Sequence, residues 1–116
     1  MEVFVNLVGA TFRPASAKEI IKRLTAEDGE LLELRAEPTN KYDSHAVMVL
    51  YKPTGEHLGY IARENNYEIF LALEQEIDLD IEIVGFENTL KPTLLISWID
   101  DIPLTAEDMG EYPGER

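Results

Sequence analysis

The sequence predicts a mainly β domain: a small OB-like or SH3-like β-barrel of five to six strands with two short helices. Five or six short apolar stretches recur at the spacing of a small barrel, turn-forming residues separate them, and two brief segments have helical spacing. The length of 116 residues predicts one domain, over residues 1–102, followed by a flexible acidic tail over residues 103–116 that is either disordered or a short helical turn.

The first half of the chain is expected to hold three strands and one helix. Residues 2–10 are mostly apolar and β-branched, which is typical of a strand. Residues 16–19 have the pattern of a capping box, and apolar residues follow at helical spacing. Residues 31–36 alternate apolar and charged side chains, and a further apolar run covers residues 46–51, so both are expected to be strands.

The second half continues the same pattern. Residues 52–55 contain Pro and Gly where a tight turn places them, and residues 56–61 are expected to form a short strand. A helix is predicted from Ala62 onward, with an acidic exposed face. Residues 78–86 alternate apolar and acidic side chains, which predicts a half-buried strand, and the last strand is expected over residues 92–102.

The segment between the second and third strands is richer than a connector needs to be. It breaks the strand pattern with Pro, Thr, Asn, Lys and Asp from Pro38 to Asp43, and it has no Asn-Gly or Asp-Gly at its tip. It also places an aromatic side chain, Tyr42, beside a carboxylate, Asp43. The loop is therefore a candidate binding element.

The charge of the chain is divided unevenly. The formal net charge is −13, but residues 1–63 sum to −1 and residues 64–116 to −12. A strongly negative surface repels nucleic acid. The candidate loop lies in the near-neutral half, which is the half that tolerates a polyanion.

Enzyme and metal functions find little support in the sequence. Asp43, Ser44 and His45 contain the letters of a catalytic triad, but adjacent residues cannot form the relay. The two histidines show no metal-ligand spacing, and cysteine is absent, so no cofactor or metal is expected. No apolar run reaches membrane-spanning length and no signal peptide precedes the first strand, which favours a cytoplasmic protein without membrane contact.

Three segments together resemble the HIRAN domain over roughly residues 3–100. They are Val8 to Arg13, with Gly9 and Phe12; Leu34 to Val49, with Arg35, Pro38, Asn40, Tyr42, Asp43 and Ala46 in register; and Leu58 to Arg63, with Gly59 and Tyr60. The middle segment is the most specific. His45 departs from the family pattern, which usually has Asn at that position and uses it to brace the loop.

The resemblance implies an OB-like barrel and a function. HIRAN domains occur fused to helicase-like and nuclease proteins and as small standalone proteins, and the best-studied members capture the 3′-hydroxyl end of single-stranded DNA. The resemblance implies a non-catalytic module in DNA repair or replication-fork processing, with a helicase or nuclease in trans as candidate partner. The DNA-binding residues expected on this basis are Phe12, Arg13, Asn40, Lys41, Tyr42, Asp43, Tyr60 and Arg63.

These residue types suit the implied role. Aromatic side chains stack on unpaired bases without reading sequence. A carboxylate is repelled by phosphate but accepts a hydrogen bond from a terminal hydroxyl, so Asp43 would select a 3′-hydroxyl over a 3′-phosphate. Arg13, Lys41 and Arg63 would offset the last phosphates, and Asn40 would brace the loop or contact the terminal sugar.

Each residue also has an ordinary structural interpretation. Asp43 would form an Asx-turn with its own loop, and Asn40 would be a turn residue. Tyr42 and Tyr60 would lie at the edge of the core, and Phe12 inside it. The remaining residues with such interpretations are Arg13 and Arg63 as surface charge, Arg35 as an ion-pair partner and Trp98 as core.

A second function class stays open from the sequence. Residues 64–87 contain eight acidic residues and no basic one. Such a surface would suit an acidic protein-interaction module, either an adaptor for a basic partner or an imitation of DNA charge, without DNA binding. The same acids would otherwise serve only to keep the protein soluble.

Overall fold

A computed structural model describes residues 1–99, and these form one antiparallel sheet of six strands with two α-helices. The strands are β1 (Glu2–Val8), β2 (Leu32–Ala36), β3 (Val47–Tyr51), β4 (Glu56–Ile61), β5 (Asp80–Asn88) and β6 (Lys91–Ser97). The helices are α1 (Ala15–Arg23) and α2 (Tyr67–Glu74). The strand order is β2-β3-β4-β1-β6-β5, and the sheet curls into a half-barrel compatible with an OB-like fold. The predicted fold class is confirmed.

The curl of the sheet comes from β1, which changes partner along its length. Residues 2–6 pair with β6, whereas Leu7 and Val8 pair with Ile61 and Tyr60 of β4. A strand shared between two sets of partners must bend to serve both, so β1 forms the corner of the half-barrel. The site described below is built on the β2-β3-β4 side of this corner.

The core fills the concave face of the sheet and is closed by the helices. Every second residue along these strands points into the core, and Leu7 of β1 and Leu94 of β6 are fully buried examples. Helix α1 adds Ile21 and helix α2 adds Ile69, both completely buried. Trp98 is 8% exposed, which confirms its interpretation as a core residue.

The start of α1 differs from the prediction. The helix begins one residue before the expected capping box, Pro14 occupies the N-cap position, and no side chain caps it. The Ser16 hydroxyl instead donates to Glu56 Oε2 at 2.7 Å, across to β4. A capping box does form at Thr25 and Asp28, where it begins a 3-10 helix over Ala26–Leu31. Ser16 therefore makes a tertiary hydrogen bond instead of the helix cap that the pattern at residues 16–19 predicts.

The second predicted helix also begins later than expected. A 3-10 turn spans Arg63–Asn65, and α2 follows only from Tyr67. The last predicted strand ends at Ser97, and the domain end at residue 102 and the tail over residues 103–116 lie outside the described residues. No helix within residues 1–99 is long and apolar enough to cross a membrane.

The 3-10 helix over residues 26–31 bridges the two edges of the sheet. It leads directly into edge strand β2 and packs against edge strand β5. Gly29 allows this contact, because a Cβ at that position would overlap the backbone carbonyl oxygen of Ile81. The absence of a side chain at residue 29 therefore lets the half-barrel close on itself.

The substitution Gly29→Ala is expected to lower the free energy of unfolding by about 1–3 kcal/mol, since backbone atoms on both sides must move apart. Gly85→Ala is the matched control, because a Cβ at Gly85 meets nothing within 4 Å. Urea denaturation of both variants measures the difference. Equal stability of the two variants would show that the contact between residues 26–31 and β5 does not hold the fold closed.

Candidate nucleic-acid interface

The loop between β2 and β3 closes on itself through its backbone. The amide of Glu37 donates to the carbonyl of Ala46 at 2.8 Å, which continues the strand pairing by one step. The amide of Ala46 donates to the carbonyl of Asp43 at 3.1 Å, and the amide of Asn40 to the carbonyl of Glu37 at 3.1 Å. Residues 37–46 therefore form a short ordered excursion rather than an open connector.

The side chain of Asn40 braces this excursion from within. Its Oδ1 accepts from the amides of Tyr42 at 2.8 Å and of Asp43 at 3.0 Å. Its Nδ2 donates to Glu37 Oε1 at 2.8 Å. Both ends of the amide are engaged inside the protein, so the interpretation of Asn40 as a turn residue is confirmed.

Tyr60 ties the loop to β4. Its hydroxyl donates to Glu37 Oε1 at 2.8 Å and lies 3.4 Å from Asn40 Nδ2. The hydrogen bond from Asn40, followed in size by the one from Tyr60, holds the pKa of Glu37 below its usual value. Burial raises the pKa of the Tyr60 hydroxyl.

The neighbouring Gly59 permits close packing of β4 on β1, since a Cβ there would lie 2.5 Å from the carbonyl oxygen of Val8.

Asp43 is held at both carboxylate oxygens. Oδ1 accepts from the amide of His45 at 2.9 Å, which is the Asx-turn, and Oδ2 accepts from Asn66 Nδ2 at 2.7 Å. Arg63 Nε lies 3.9 Å from the same Oδ2. The hydrogen bond from His45 is the largest cause that lowers the pKa of Asp43, and Asn66 and Arg63 act in the same direction. The carboxylate is therefore a permanent acceptor near neutral pH.

These side chains border an open cavity of about 610 Å³. Its walls come from the loop and from the residues that precede and begin α2. Five residues predicted from the sequence line it: Asn40, Lys41, Tyr42, Asp43 and Arg63. Four residues that the prediction did not include complete it: Ser44, His45, Asn66 and Tyr67.

The cavity lining is cationic although the chain as a whole is acidic. Among the nine lining residues, Lys41 and Arg63 carry positive charge, and Asp43 supplies the single carboxylate. Two aromatic rings at the cavity are open to solvent, Tyr42 at 82% and Tyr67 at 53% exposure. The interpretation of Tyr42 as a core-edge residue is therefore wrong.

Phe12, Arg13 and Tyr60 do not line this cavity. Phe12 is 88% exposed, so its interpretation as a core residue is wrong. Arg13 Nε donates to the carbonyl of His57 at 3.0 Å, and the His57 ring packs edge-on against Tyr60, with 4.8 Å between ring centroids. These contacts connect Arg13 to β4 and, through the His57 ring, to Tyr60.

Asn66 is the main functional candidate that sequence reasoning missed. It is 4% exposed, and among residues 1–99 it is the one polar residue that is buried. The available signal was its position three residues after Arg63, at the start of a helix, where Asn is common as a cap. In the structure its side chain makes no cap and instead reaches Asp43.

His45 anchors the other wall of the cavity. Its ring packs edge-on against Tyr67 and Phe70 of α2, at centroid distances of 4.8 Å and 5.2 Å. The residue that departs from the family pattern, His45, thus joins the loop to α2 by aromatic contact.

No cluster of three or more His, Asp or Glu residues suited to a metal ion occurs within residues 1–99.

The comparisons with known proteins agree on the fold. A crystal structure of a Lactobacillus plantarum protein from a structural genomics consortium superposes with a TM-score of 0.67 at 23% identity, covering 83% of this chain and 93% of that one. The crystal structure of the HIRAN domain of human HLTF superposes with a TM-score of 0.64 at 16% identity, covering 84% and 74%. No match was found among curated protein sequences.

The fold defines the class of the protein as a small OB-like domain, with an open cavity beside the β2–β3 loop. The family model of the HIRAN domain matches residues 1–94, so the chain belongs to the HIRAN domain family. The HIRAN domain is a binding domain known in DNA-binding contexts, and membership supports a role as a nucleic-acid-binding module. The resemblance noted in three segments of the sequence is thereby confirmed.

The substitution Asn66→Ala is expected to destabilise the protein by about 1–3 kcal/mol, because it removes the donor to a largely buried carboxylate. It should also raise the pKa of Asp43, since the hydrogen bond from Asn66 lowers it. Asn65→Ala is the control, because Asn65 is exposed and adjacent. Urea denaturation and an NMR titration of the Asp43 carboxyl group measure the two effects. An unchanged Asp43 titration would contradict the assigned contact.

The loop network is expected to make stability depend on acid pH. The folded-state pKa values of Glu37 and Asp43 are lowered, so their stabilisation is present above the unfolded pKa of about 4 and is lost as pH falls through the folded values. Tyr60→Phe removes one donor to Glu37 and should cost about 1 kcal/mol at neutral pH.

That deficit of Tyr60→Phe should shrink as the pH falls below about 4, the unfolded-state pKa, because the Glu37 carboxylate then becomes protonated in the wild type as well as its lowered pKa is passed. Urea denaturation across this pH range measures it. Tyr42→Phe is the control, since its hydroxyl belongs to a side chain that is 82% exposed. A loss of unfolding free energy in Tyr60→Phe that is the same at neutral and at acid pH would mean that Glu37 is not the partner of Tyr60.

Proposed function

We propose that this protein is a non-catalytic module that captures the 3′-hydroxyl end of single-stranded DNA in the cavity beside the β2–β3 loop. The observation that carries the proposal is the state of Asp43, an ionised acceptor held between Arg63 and Asn66 at the cavity. Membership of the HIRAN family supports the nucleic-acid class of ligand.

The chemistry of Asp43 favours one kind of DNA end. A carboxylate has about four acceptor positions and no donor. The hydrogen bonds from His45 and Asn66 occupy one position on each oxygen, and the side chain keeps 18% exposure. A terminal hydroxyl would donate to the remaining capacity, whereas a terminal phosphate would meet a like charge. The proposed selectivity follows from the acceptor-only character of the group.

The exposed aromatics supply the contact with bases. Tyr42 lies at the cavity with 82% exposure and Tyr67 with 53%, and Phe12 offers a further ring at 88% exposure on the segment after β1. Stacking of a base on such a ring contributes about 1–3 kcal/mol and does not depend on sequence. We therefore expect end recognition without strong sequence preference.

The cations supply the contact with phosphates. Lys41 and Arg63 line the cavity, and Arg63 is 76% exposed, so its guanidinium has donors available. The net charge of −13 opposes long-range attraction, which should make binding weak. A protein that binds free 3′ ends would act in DNA repair or replication-fork processing, and a helicase or nuclease in trans would supply the catalysis.

The decisive measurement is fluorescence anisotropy with matched single strands that end in a 3′-hydroxyl or a 3′-phosphate, at low salt. The hydroxyl end is expected to bind at least about tenfold more tightly, because a hydrogen bond to a charged group contributes about 1.5–3 kcal/mol. Asp43→Asn should bring the two affinities close together. Tyr42→Ala should weaken both ends alike, since it removes stacking and leaves the acceptor in place.

Glu64→Gln is the matched control for Asp43→Asn. It removes one negative charge from the residue next to Arg63 without altering the cavity lining. This control should leave the preference for the hydroxyl end intact. Equal affinity for the two ends, or no binding even at low salt, would refute the proposal.

A further inference from the structure

The outer face of the β1-β6-β5 sheet is a second surface with unusual composition. Residues paired in register point to the same side of a sheet. Phe4 of β1 pairs with Leu95 of β6, and Leu95 pairs with Glu82 of β5. The next row consists of Glu2, Ser97 and Asp80. These rows lie opposite the buried face of the same strands, so they point away from the core.

The centre of this outer face is apolar. Phe4 is 63% exposed, Leu95 beside it is half-buried, and Val84 at the bulge of β5 is 47% exposed. Single exposed apolar residues are ordinary on protein surfaces, but the register pair of Phe4 and Leu95, with a further exposed apolar residue on β5, is typical of an interaction site. Nothing within residues 1–99 covers the Phe4 ring.

The rim of the outer face is acidic. Glu2, Asp80 and Glu82 are all exposed, and they lie in the same rows as the apolar centre or next to it. Lys91 is the cation that these three strands contain, and its Nζ lies 2.9 Å from Glu87 Oε1, so its charge is already offset. The terminal ammonium group of Met1 donates to the carbonyl of Trp98 at 2.9 Å and offsets part of the acidic charge. The outer face therefore combines an aromatic anchor point with net negative charge.

We propose that the outer face docks a basic segment of a partner protein, with a large apolar side chain against Phe4 and lysines or arginines against Glu2, Asp80 and Glu82. Charge complementarity selects this occupant. A second copy of this chain would place carboxylates against carboxylates, and an anionic membrane or a nucleic acid would be repelled. None of these residues lines the cavity beside the β2–β3 loop, so the inference is independent of DNA-end capture.

The test is an NMR titration of the full chain with a short synthetic peptide of alternating lysine and leucine. The expected result is a set of amide shifts centred on Phe4, Leu95 and Glu82. A peptide with glutamate in place of lysine should not bind, and a peptide with serine in place of leucine should bind at least about fivefold more weakly, because it lacks the apolar anchor.

Variants locate the binding surface. Phe4→Ala should weaken the lysine–leucine peptide at least about fivefold, and Glu82→Lys roughly two- to fivefold. Phe12→Ala and Glu68→Lys are the controls, since they remove an exposed ring and reverse an exposed acid elsewhere and should leave affinity unchanged. Phe4 is mostly exposed, so Phe4→Ala should fold, and Glu82→Lys tests the same face by charge alone.

Three outcomes would overturn the inference. The first is a shift pattern centred on α2 or spread evenly over all acidic residues. The second is binding that survives both Phe4→Ala and Glu82→Lys. The third is a dimer of the wild-type chain in sedimentation experiments that Phe4→Ala abolishes, which would identify a second copy as the occupant. Binding of DNA at the cavity is measured separately and does not affect any of these results.

Discussion

The hydrogen bonds of one amide, that of Asn40, give the site its shape. Its oxygen accepts the two loop amides that follow, and its nitrogen donates to Glu37, whose carboxylate also accepts from Tyr60. The loop, the end of β2 and the middle of β4 thus share a single network. Because partly buried polar groups are costly when left unpaired, such a network favours one arrangement and holds the backbone of Tyr42 and Asp43 in place.

The electrostatics of the protein follow from where its charges are placed. Most acids lie in residues 64–116, while two cations, Lys41 and Arg63, line the cavity together with the single carboxylate of Asp43. Exposed charges farther apart than about 8 Å are largely screened at physiological salt, so a local cationic lining can act within an acidic protein. The two surfaces also suit different ligands, a polyanion at the cavity and a basic segment at the outer face.

Much of the fold was predictable because it depends on local pattern. Alternation placed the strands to within a few residues, and the turn at residues 52–55 appeared where Pro and Gly indicated it. One failure came from competition with a distant group, because Ser16 bonds to Glu56 instead of capping α1. The exposure of Phe12 decided between the two interpretations that the sequence left open for it, and it excludes the core. The Arg35 ion pair with Glu33, at 3.0 Å, was predictable from alternating charge on one strand.

The sequence by itself determined the strand pattern, the family and the loop segment that carries Asn40, Tyr42 and Asp43, since all of these are read from neighbouring residues. Only the tertiary structure decided what surrounds Asp43. Asn66 is 23 positions away along the chain, and it reaches the carboxylate because the half-barrel brings the start of α2 against the β2–β3 loop. A contact of that separation leaves no periodic signal in the sequence, and it exists only once the sheet has curled.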